Sequence, residues 1–409
     1  MTQILEIVTS DISRDVRVQK TATSLVEFGY DVSVLSLSNR LNDKNFPFEI
    51  IETKQELSKI NTGIWNFNLI NNIIKGISKY HLKKVNVLFG EEINPRELQF
   101  FQKFIQSGLI FGYTLGKNFL LYQLAKKIKA DIYHANDLDA LLTALLLKRE
   151  HGGKIIYDSH ELYCDQWVCF DPFFYNIFKN FEYILIKECD GVITVNESIA
   201  NILQSRYNLA KKPTVVMNCP QLSISESSIK IHNKSRIIYI GGYLPGRNLE
   251  NIIYATKYMD EPIYLRGFGS LESKLRKIAQ NNKYNVQFLD PVPPENLVES
   301  LREFDIGIIP YQPINLNNLY STPNKFFEYL HAGLAIASSD IPELKKIIEN
   351  EKIGSIFNSG DPKSIADVLN GLVSGDLLRY RENAIRCSKE KYNWEFQKEK
   401  LLKLYCSIE

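Results

Sequence analysis

The chain has 409 residues, of which 44% are hydrophobic and 23% are charged, with a net charge of +2 at pH 7. This length is enough for two domains with separate cores, and the composition is ordinary for a soluble globular protein. The N-terminal residues lack a basic stretch followed by an apolar one, and no apolar run is long enough to span a bilayer. We therefore expect no signal peptide and no transmembrane helix.

The first half of the chain alternates short apolar strands with amphipathic helices. The predicted strands are 4–10, 31–38, 48–52, 131–135, 154–159, 191–195 and 214–217, and helical patterns include 15–28, 139–149 and 198–207. Strands rich in Val and Ile that alternate with helices predict a parallel sheet covered on both faces.

The stretch 55–129 interrupts this alternation and is mostly helical in pattern. Within residues 51–130, twelve Lys and Arg face five Asp and Glu, so this segment carries +7 and the remainder of the chain carries −5. A basic, aromatic-rich helical region can lie on an anionic membrane surface, and we expect such contact to centre on Lys75, Lys79, Lys83 and Lys84. The alternative is a helical insertion with a solvated basic face.

In the second half the same alternation restarts after a polar, Ser-rich segment, 221–234, which is typical of an interdomain linker. The predicted strands are 236–241, 262–266, 286–289, 306–310, 334–338 and 354–357. The predicted helices are 248–258, 271–281, 294–302, 323–331, 342–349, 362–373 and 394–408. The pattern predicts two doubly wound α/β domains, 1–220 with a helical insertion at 55–129 and 235–390, followed by a C-terminal helical segment, 391–409. Sheets of this kind bind ligands at the carboxyl ends of their strands, so we expect the site in a cleft between the two domains.

The six cysteines are scattered without CxxC spacing, which is typical of reduced cytoplasmic thiols rather than of a zinc site or a disulfide framework. They are Cys164, Cys169, Cys189, Cys219, Cys387 and Cys406.

Polar side chains follow two predicted strands of the first domain. One strand ends in His134-Ala135-Asn136-Asp137 and the next in Asp158-Ser159-His160-Glu161. A histidine at a strand end can donate to a phosphate or a sugar hydroxyl, or move a proton. The spacing of these residues matches no zinc pattern. Asp137-Leu138-Asp139 has the form of a manganese-binding D-x-D sequence, but we expect it to begin a helix.

Two glycine-rich loops follow strands of the second domain. Gly241 and Gly242 lead to Arg247, which can clamp a phosphate, and Gly267 and Gly269 follow the next strand. Neither loop has the G-x-G-x-x-G sequence of a dinucleotide site. A flexible loop with a surface arginine is the alternative.

The segment that begins at Ser321 predicts a short helix that binds an anion. Ser321 or Thr322 can cap the helix, Pro323 suits its first position, and the helix dipole favours an anion at that end. Lys325 in the first turn and Glu328 one turn beyond it suit a diphosphate and sugar hydroxyls, respectively. The alternative is an amphipathic helix with Lys325 and Glu328 paired on its surface.

The order of these motifs resembles the family-4 glycosyltransferases, retaining enzymes of the GT-B fold that use nucleotide sugars. The resemblance covers nearly the whole chain: Asp15 to Lys20, His134, the 158–161 strand end, 190–195, 216–218, Tyr239 to Arg247, 305–339 and Tyr392-Asn393-Trp394. It implies two Rossmann-like domains facing across a cleft and a final helix that returns to the first domain.

The resemblance also implies roles for single residues. Glu328 matches the glutamate that holds the nucleotide ribose, Arg247 a basic residue that neutralises the diphosphate, and His160 a histidine near the donor's sugar and phosphate. Ser321 and Thr322 match the helix start that reaches the donor. We place His160, Arg247 and Lys325 in the catalytic group. The donor-binding group adds Gly241, Gly242, Gly267, Gly269, Tyr320, Ser321, Thr322 and Glu328, and the acceptor side comprises Arg17, His134, Asp137 and Glu161.

Two positions depart from the family pattern. Tyr320 stands where the first glutamate of the family's E-x7-E motif is expected, and Gly242 stands where an arginine is usual. Lys325 is well placed to supply the missing positive charge. The first departure leaves the donor sugar and the stereochemical outcome open.

Taken with the resemblance, the sequence predicts transfer of a sugar from a nucleoside diphosphate, UDP rather than GDP, to a saccharide or lipid-linked saccharide acceptor in surface-polysaccharide or glycoconjugate synthesis. The resemblance implies retention of configuration, and we expect no metal or other cofactor, no nucleic-acid partner, and a cytoplasmic location that extends to the inner face of the plasma membrane. A GT-B epimerase, an inverting transferase and a non-catalytic scaffold subunit are the alternatives.

Overall fold

The computed structural model describes residues 1–38, 46–51, 95–166, 171–222, 229–230 and 232–409, and for residues 95–102 the backbone alone. These residues form two compact units. The N-terminal unit comprises Met1–Thr194, Ala200–Thr214 and Leu402–Glu409, and the C-terminal unit comprises Val195–Ile199 and Val215–Leu401. The chain thus enters the C-terminal unit twice, briefly at Val195–Ile199 and then from Val215 to Leu401.

A parallel sheet forms the centre of the N-terminal unit. Its strands are β1 (Gln3–Asp11), β2 (Asp31–Ser38), β3 (Glu49–Ile51), β4 (Ile132–Asn136), β5 (Lys154–Ser159), β6 (Gly191–Thr194) and β7 (Thr214–Val215). They are arranged in the order β3-β2-β1-β4-β5-β6-β7. The pairings from β3 through β6 are parallel. All five residues of β4 are buried, as expected for a strand covered on both faces.

Helices connect these strands, and aspartate side chains cap two of them. They are α1 (Val16–Glu27), α2 (Pro95–Ala125), α3 (Leu138–His151), α4 (Pro172–Ile186) and α5 (Glu197–Tyr207), with a 3₁₀ turn at Tyr163–Asp165. The Asp15 side chain accepts from the Val18 N–H at the start of α1, and Asp171 accepts from Phe173 and Phe174 at the start of α4.

The C-terminal unit repeats this plan with six strands. They are β8 (Ile237–Ile240), β9 (Ile263–Arg266), β10 (Val286–Leu289), β11 (Ile306–Ile309), β12 (Ala335–Ser339) and β13 (Gly354–Phe357). Their order is β10-β9-β8-β11-β12-β13, with parallel pairing throughout.

The helices of this unit cover both faces of its sheet. They are α6 (Leu249–Ala255), α7 (Glu272–Asn281), α8 (Leu297–Leu301), α9 (Leu316–Tyr320), α10 (Asn324–Ala332), α11 (Pro342–Glu351), α12 (Pro362–Ser374) and α13 (Leu377–Glu390), with 3₁₀ turns at Thr256–Tyr258 and Pro294–Asn296. A final helix, α14 (Trp394–Ile408), begins in this unit, and its residues from Leu402 onward belong to the N-terminal unit. Alternate residues of β8 enter separate apolar clusters, Ile238 and Ile240 in one and Ile237 and Tyr239 in the other. This alternation is that of a strand buried on both faces.

Both sheets change winding direction at their centre, and this change positions the site. In the N-terminal sheet the connections that follow β1 and β4 run in opposite directions, and in the C-terminal sheet the connections that follow β8 and β11 do the same. Crevices at such points, at the carboxyl ends of the strands, bind ligands in doubly wound folds. The prediction of an α/β fold with two doubly wound domains is confirmed.

Two features of the C-terminal unit were not predicted. The five residues of α9 are too few to show a helical period, whereas α13 was missed although its sequence is amphipathic. In the described part of the chain, no helix is long and apolar enough to cross a membrane.

Candidate functional site

Lys325 is a buried cation in the first turn of α10. Its side chain is only 7% exposed, and Nζ lies 3.9 Å from the ring centroid of Tyr239 and 5.0 Å from that of Tyr311. Among the described residues, no hydrogen bond or ion pair is made by this ammonium group. A buried ammonium is costly when aromatic rings are its main neighbours, because they replace its hydration poorly. The surface pair of Lys325 and Glu328 considered above is therefore wrong.

Arg247 brings a second cation to the same place. Its guanidinium carbon lies 3.8 Å from the centroid of the Tyr311 ring. Burial lowers the pKa of Lys325 well below its ordinary value, and Arg247 lowers it further while Glu328 opposes both effects. A bound anion would stabilise both cations, so the arrangement suits a phosphate or diphosphate.

Gly241 makes room for Lys325. Its φ of +119° suits glycine, and a Cβ at this position would lie 2.9 Å from the Lys325 Nζ. Gly267 has a packing role instead, because a Cβ there would lie 2.0 Å from the Gly241 carbonyl oxygen. Gly269 packs in the same way against the Tyr243 backbone. Gly242 is exposed beside Leu244. Only Gly241 of these four therefore touches a predicted ligand-binding side chain.

The start of α10 differs from the prediction. Pro323 occupies the N-cap position, and no side chain caps the helix, so capping by Ser321 or Thr322 is wrong. Ser321 Oγ instead donates to the Asn318 carbonyl oxygen at 3.1 Å. Thr322 Oγ1 accepts a hydrogen bond of 3.1 Å from Asn196. The hydroxyl groups hold the turn before the helix and leave the helix N–H groups without side-chain acceptors, as an anion site requires.

Asn196 supports this turn and was not predicted. Its side chain is fully buried, and Nδ2 donates to the Tyr320 carbonyl oxygen at 2.7 Å. Its Oδ1 accepts from the Ile199 N–H at 2.8 Å at the start of α5. An asparagine after a strand can be recognised as a helix cap from sequence. Its second contact, with a turn 124 residues away, carries no local signal.

Glu328 lies one turn beyond Lys325 on α10 and is half-buried. The structure thus brings together Arg247, Lys325 and Gly241, with Glu328 on the same helix and the 320–322 turn at its start. Tyr311 and Tyr239, the rings that carry the two cations, were not predicted as site residues. Tyr311 directly follows Pro310 after β11, so its position at the end of a strand could have identified it from the sequence.

In the N-terminal unit, a buried ion pair lies beneath the ends of β4 and β5. Arg17 donates from Nε and Nη2 to the two oxygens of Asp158, at 2.9 and 2.7 Å. The side chains are 4% and 1% exposed. Burial opposes the charge on Asp158, but Arg17 and His160 outweigh it and lower the pKa of this carboxyl well below its ordinary value. The pair is fixed in geometry by two parallel hydrogen bonds.

The predicted acceptor-side residues divide by burial. His134 is fully buried, with Nδ1 2.6 Å from the Tyr405 hydroxyl, and burial lowers its pKa. Arg17 is buried as well, so both can act on an acceptor only through their neighbours. Asp137 is 27% exposed, and Glu161 is exposed.

The two aspartates around Leu138 have other partners than a metal. Asp137 is the residue before α3, as expected, and contacts His160. Asp139 accepts from Lys117 at 2.9 Å and from Thr9 at 2.6 Å. Across the described residues, no group of three or more His, Cys, Asp or Glu is arranged to hold a metal ion.

Two doubly wound parallel units in series, the second with a paired-cation site at a helix start, define the GT-B class of glycosyltransferases. Two family models match the chain, "Glycosyltransferase Family 4" over residues 83–220 and "Glycosyl transferases group 1" over residues 234–374. Together they span well over half of its length. The chain belongs to the family-4 glycosyltransferases.

Known proteins resemble the chain in part of its sequence or in its fold. A phosphatidyl-myo-inositol mannosyltransferase of Mycobacterium leprae is 24% identical over 138 residues, which are 34% of this chain and 36% of that protein. The match thus spans about a third of the mannosyltransferase. The sucrose-phosphate synthase structure from Thermosynechococcus elongatus has a TM-score of 0.68 at 13% identity, covering 100% of this chain and 99% of that one. HepE of Anabaena, in complex with UDP, has a TM-score of 0.64 at 12% identity and full coverage of both chains.

Proposed function

We propose that this protein transfers a sugar from a nucleoside diphosphate sugar, with UDP as the nucleotide, to a saccharide or lipid-linked saccharide acceptor. Such a reaction belongs to the synthesis of surface polysaccharides or other glycoconjugates. The proposal rests on the buried ammonium of Lys325, which lies beside Arg247. This ammonium has no ion-pair partner among the described residues. UDP complexes among the structural neighbours support the choice of nucleotide.

The donor would bind with its diphosphate at Lys325, Arg247 and the start of α10, and with its ribose at Glu328. As the bond from the sugar's anomeric carbon to the diphosphate breaks, negative charge grows on the departing oxygen. Cations and N–H groups already in place stabilise that charge without rearranging. The chain's own groups thus supply the charge that a divalent metal supplies in other transferases, and we propose a metal-independent reaction.

We propose retention of configuration at the anomeric carbon. In this mechanism the acceptor hydroxyl attacks from the face that the diphosphate leaves, and the departing phosphate oxygen takes its proton. Tyr320 stands in place of the motif glutamate and leaves the stereochemical outcome open. The anomeric configuration of the product is therefore the informative measurement. An inverted product would identify an inverting transferase, and an epimerised free sugar nucleotide would identify an epimerase.

A surface site for the acceptor belongs to this proposal. The four lysines expected to contact an anionic membrane, Lys75, Lys79, Lys83 and Lys84, lie outside the described residues. On the described helices of the same unit, Phe119 and Phe173 are 58% and 59% exposed. Phe119 belongs in sequence to the segment 51–130 of charge +7, and exposed aromatic rings together with basic residues suit a lipid-linked substrate at the inner face of the plasma membrane.

A donor screen tests the function directly. The purified protein is incubated with UDP-, GDP-, CMP- and ADP-sugars, and hydrolysis and transfer are followed by mass spectrometry, with product configuration from NMR. We expect turnover with UDP-sugars and a product anomer that matches the donor. A protein that binds no nucleotide in the same screen would be a scaffold subunit, and the proposal would fail.

A further inference from the structure

His160 has an oxygen atom beside each nitrogen of its ring. Nε2 lies 3.2 Å from Asn136 Oδ1, and Nδ1 lies 3.3 Å from Asp137 Oδ2. The His160 side chain is 18% exposed at the end of β5, and the two partners come from the end of β4. Adjacent parallel strands thus place all three residues at one edge of the sheet.

The orientation of the Asn136 amide fixes one proton of the ring. Asn136 is 2% exposed, and its Nδ2 lies 3.4 Å from the Ile7 carbonyl oxygen. A carbonyl oxygen can only accept, so the NH₂ group faces Ile7 and Oδ1 faces His160. Since Oδ1 also can only accept, Nε2 of His160 must carry a hydrogen.

Asp137 fixes the other proton. Its Oδ1 accepts from the backbone N–H of His160 at 2.9 Å, which directs Oδ2 toward Nδ1 of the same residue. Once Asp137 is ionised it can only accept, so Nδ1 then carries a hydrogen as well. A ring protonated on both nitrogens is an imidazolium.

Of the other charged groups around the ring, Asp158 favours this state and Arg17 opposes it. Asp158 Oδ2 lies 3.5 Å from Nε2, and Arg17 already neutralises Asp158 through two hydrogen bonds. His134 is buried, which lowers its pKa and keeps it neutral beside Asp158. Burial raises the pKa of Glu6, the carboxyl group next to Asn136, well above its ordinary value, so it adds no full negative charge.

We propose that Asn136 and Asp137 are positioning residues that hold His160 as a fixed imidazolium, which serves the transfer as a cation and not as a proton acceptor. The link to transfer rests on the proposed function, whereas the protonation of His160 is a property of the protein without any ligand. The acceptor's proton must then leave by another group, as the front-face route above requires.

The pKa values agree with this geometry. Burial lowers the pKa of His160, but Asp137 and Asp158 outweigh it and raise the value to about 9. Burial raises the pKa of Asp137 to about 7 against the opposing effect of His160. The ion pair is therefore complete in the interval between these two values.

NMR titration of the ligand-free full chain, labelled with ¹⁵N in histidine, tests the proposal. We expect the His160 ring to titrate near its raised pKa, about 9, with both nitrogens in the protonated shift range at neutral pH. Asp137→Asn removes the facing charge and should lower this pKa by roughly one unit or more. Asn136→Ser should lower it by less. Asp139→Asn is the matched control. It removes a carboxylate from the same helix start, but the ion-pair partner of this carboxylate is Lys117.

Each outcome decides the point. A wild-type His160 that titrates near the ordinary value of about 6.5, or that carries one ring proton at neutral pH, overturns the proposal even if no variant folds. An unchanged pKa in a folded Asp137→Asn variant overturns it too. Nucleotide binding is measured separately by calorimetry, so a failed donor site and a failed imidazolium give different results.

Discussion

The ammonium of Lys325 and the guanidinium of Arg247 both lie over the ring of Tyr311, at 5.0 and 3.8 Å from its centroid. None of the hydrogen bonds or ion pairs among the described residues involves either side-chain cation. Burial and the like charge of Arg247 both lower the pKa of Lys325, and a bound diphosphate would oppose both effects. Donor binding is thus the event that would complete the site.

Lys325 should take up a proton when UDP binds. Its pKa is lowered in the free protein by burial and by Arg247, and a diphosphate nearby raises it again. Between the two values the complex holds more protons than its parts, so binding consumes protons. The number of protons taken up is measured by titration calorimetry in buffers of different ionisation enthalpy. The measurement is made at about pH 8, where phosphate groups are already ionised.

Lys325→Met should abolish this uptake and weaken binding, whereas Lys345→Met should change neither, since Lys345 is 42% exposed and pairs with Asp340. Equal proton uptake in the wild type and in Lys325→Met would show that another group titrates.

Gly241→Ala should weaken donor binding and destabilise the C-terminal unit. The new methyl group would lie 2.9 Å from Lys325 Nζ, at a φ of +119° that L side chains rarely adopt. The strain should cost about 1–3 kcal/mol of unfolding free energy.

Gly371→Ala is the control, because no atom lies within 4 Å of its Cβ position in α12. That change should be neutral or stabilise by up to about 1 kcal/mol in thermal or denaturant unfolding. Wild-type UDP affinity in Gly241→Ala would remove Gly241 from the site.

Much of the architecture follows from local sequence, and the site follows only in part. Val- and Ile-rich strands ending in polar or glycine residues were sufficient to predict both sheets and to select Arg247 and His160, whereas Lys325 was selected from the pattern of a helix start. The Asn196 contact with Tyr320 and the Tyr311 ring beneath two cations depend on tertiary packing, which no local period encodes. The cap of α10 was mistaken because Ser321 and Thr322 have capping chemistry but bond elsewhere.

Chelation should leave activity intact. In the proposed site, Arg247, Lys325 and the helix N–H groups would supply the positive charge at the diphosphate, and Asp139 accepts hydrogen bonds from Lys117 and Thr9. Excess EDTA should therefore leave the initial rate within about two-fold, since electrostatic stabilisation by fixed groups needs no ion. Complete loss with EDTA that manganese restores would mean that Asp137-Leu138-Asp139 binds a metal.

Anionic vesicles should bind the protein in a salt-sensitive way. Each basic residue at such a surface contributes about 1 kcal/mol, and this attraction falls with ionic strength. The variant with Lys→Glu at positions 75, 79, 83 and 84 should therefore remain in the supernatant in co-sedimentation at low salt. The control is a variant with the same change in charge, in which four other exposed lysines are replaced by Glu: Lys211, Lys212, Lys283 and Lys352. If wild type and the first variant sediment alike, the membrane proposal fails and the donor site is unaffected.

Titration calorimetry of UDP with Glu328→Gln tests the central claim most directly. Glu328 lies one turn beyond Lys325 on α10, and loss of a charged hydrogen bond to the ribose should cost about 1.5–3 kcal/mol. We predict UDP binding weakened roughly ten-fold or more in Glu328→Gln, with unfolding unchanged, and wild-type affinity in the exposed control Glu349→Gln. Equal affinity for UDP in Glu328→Gln and the wild type would contradict the donor site at α10.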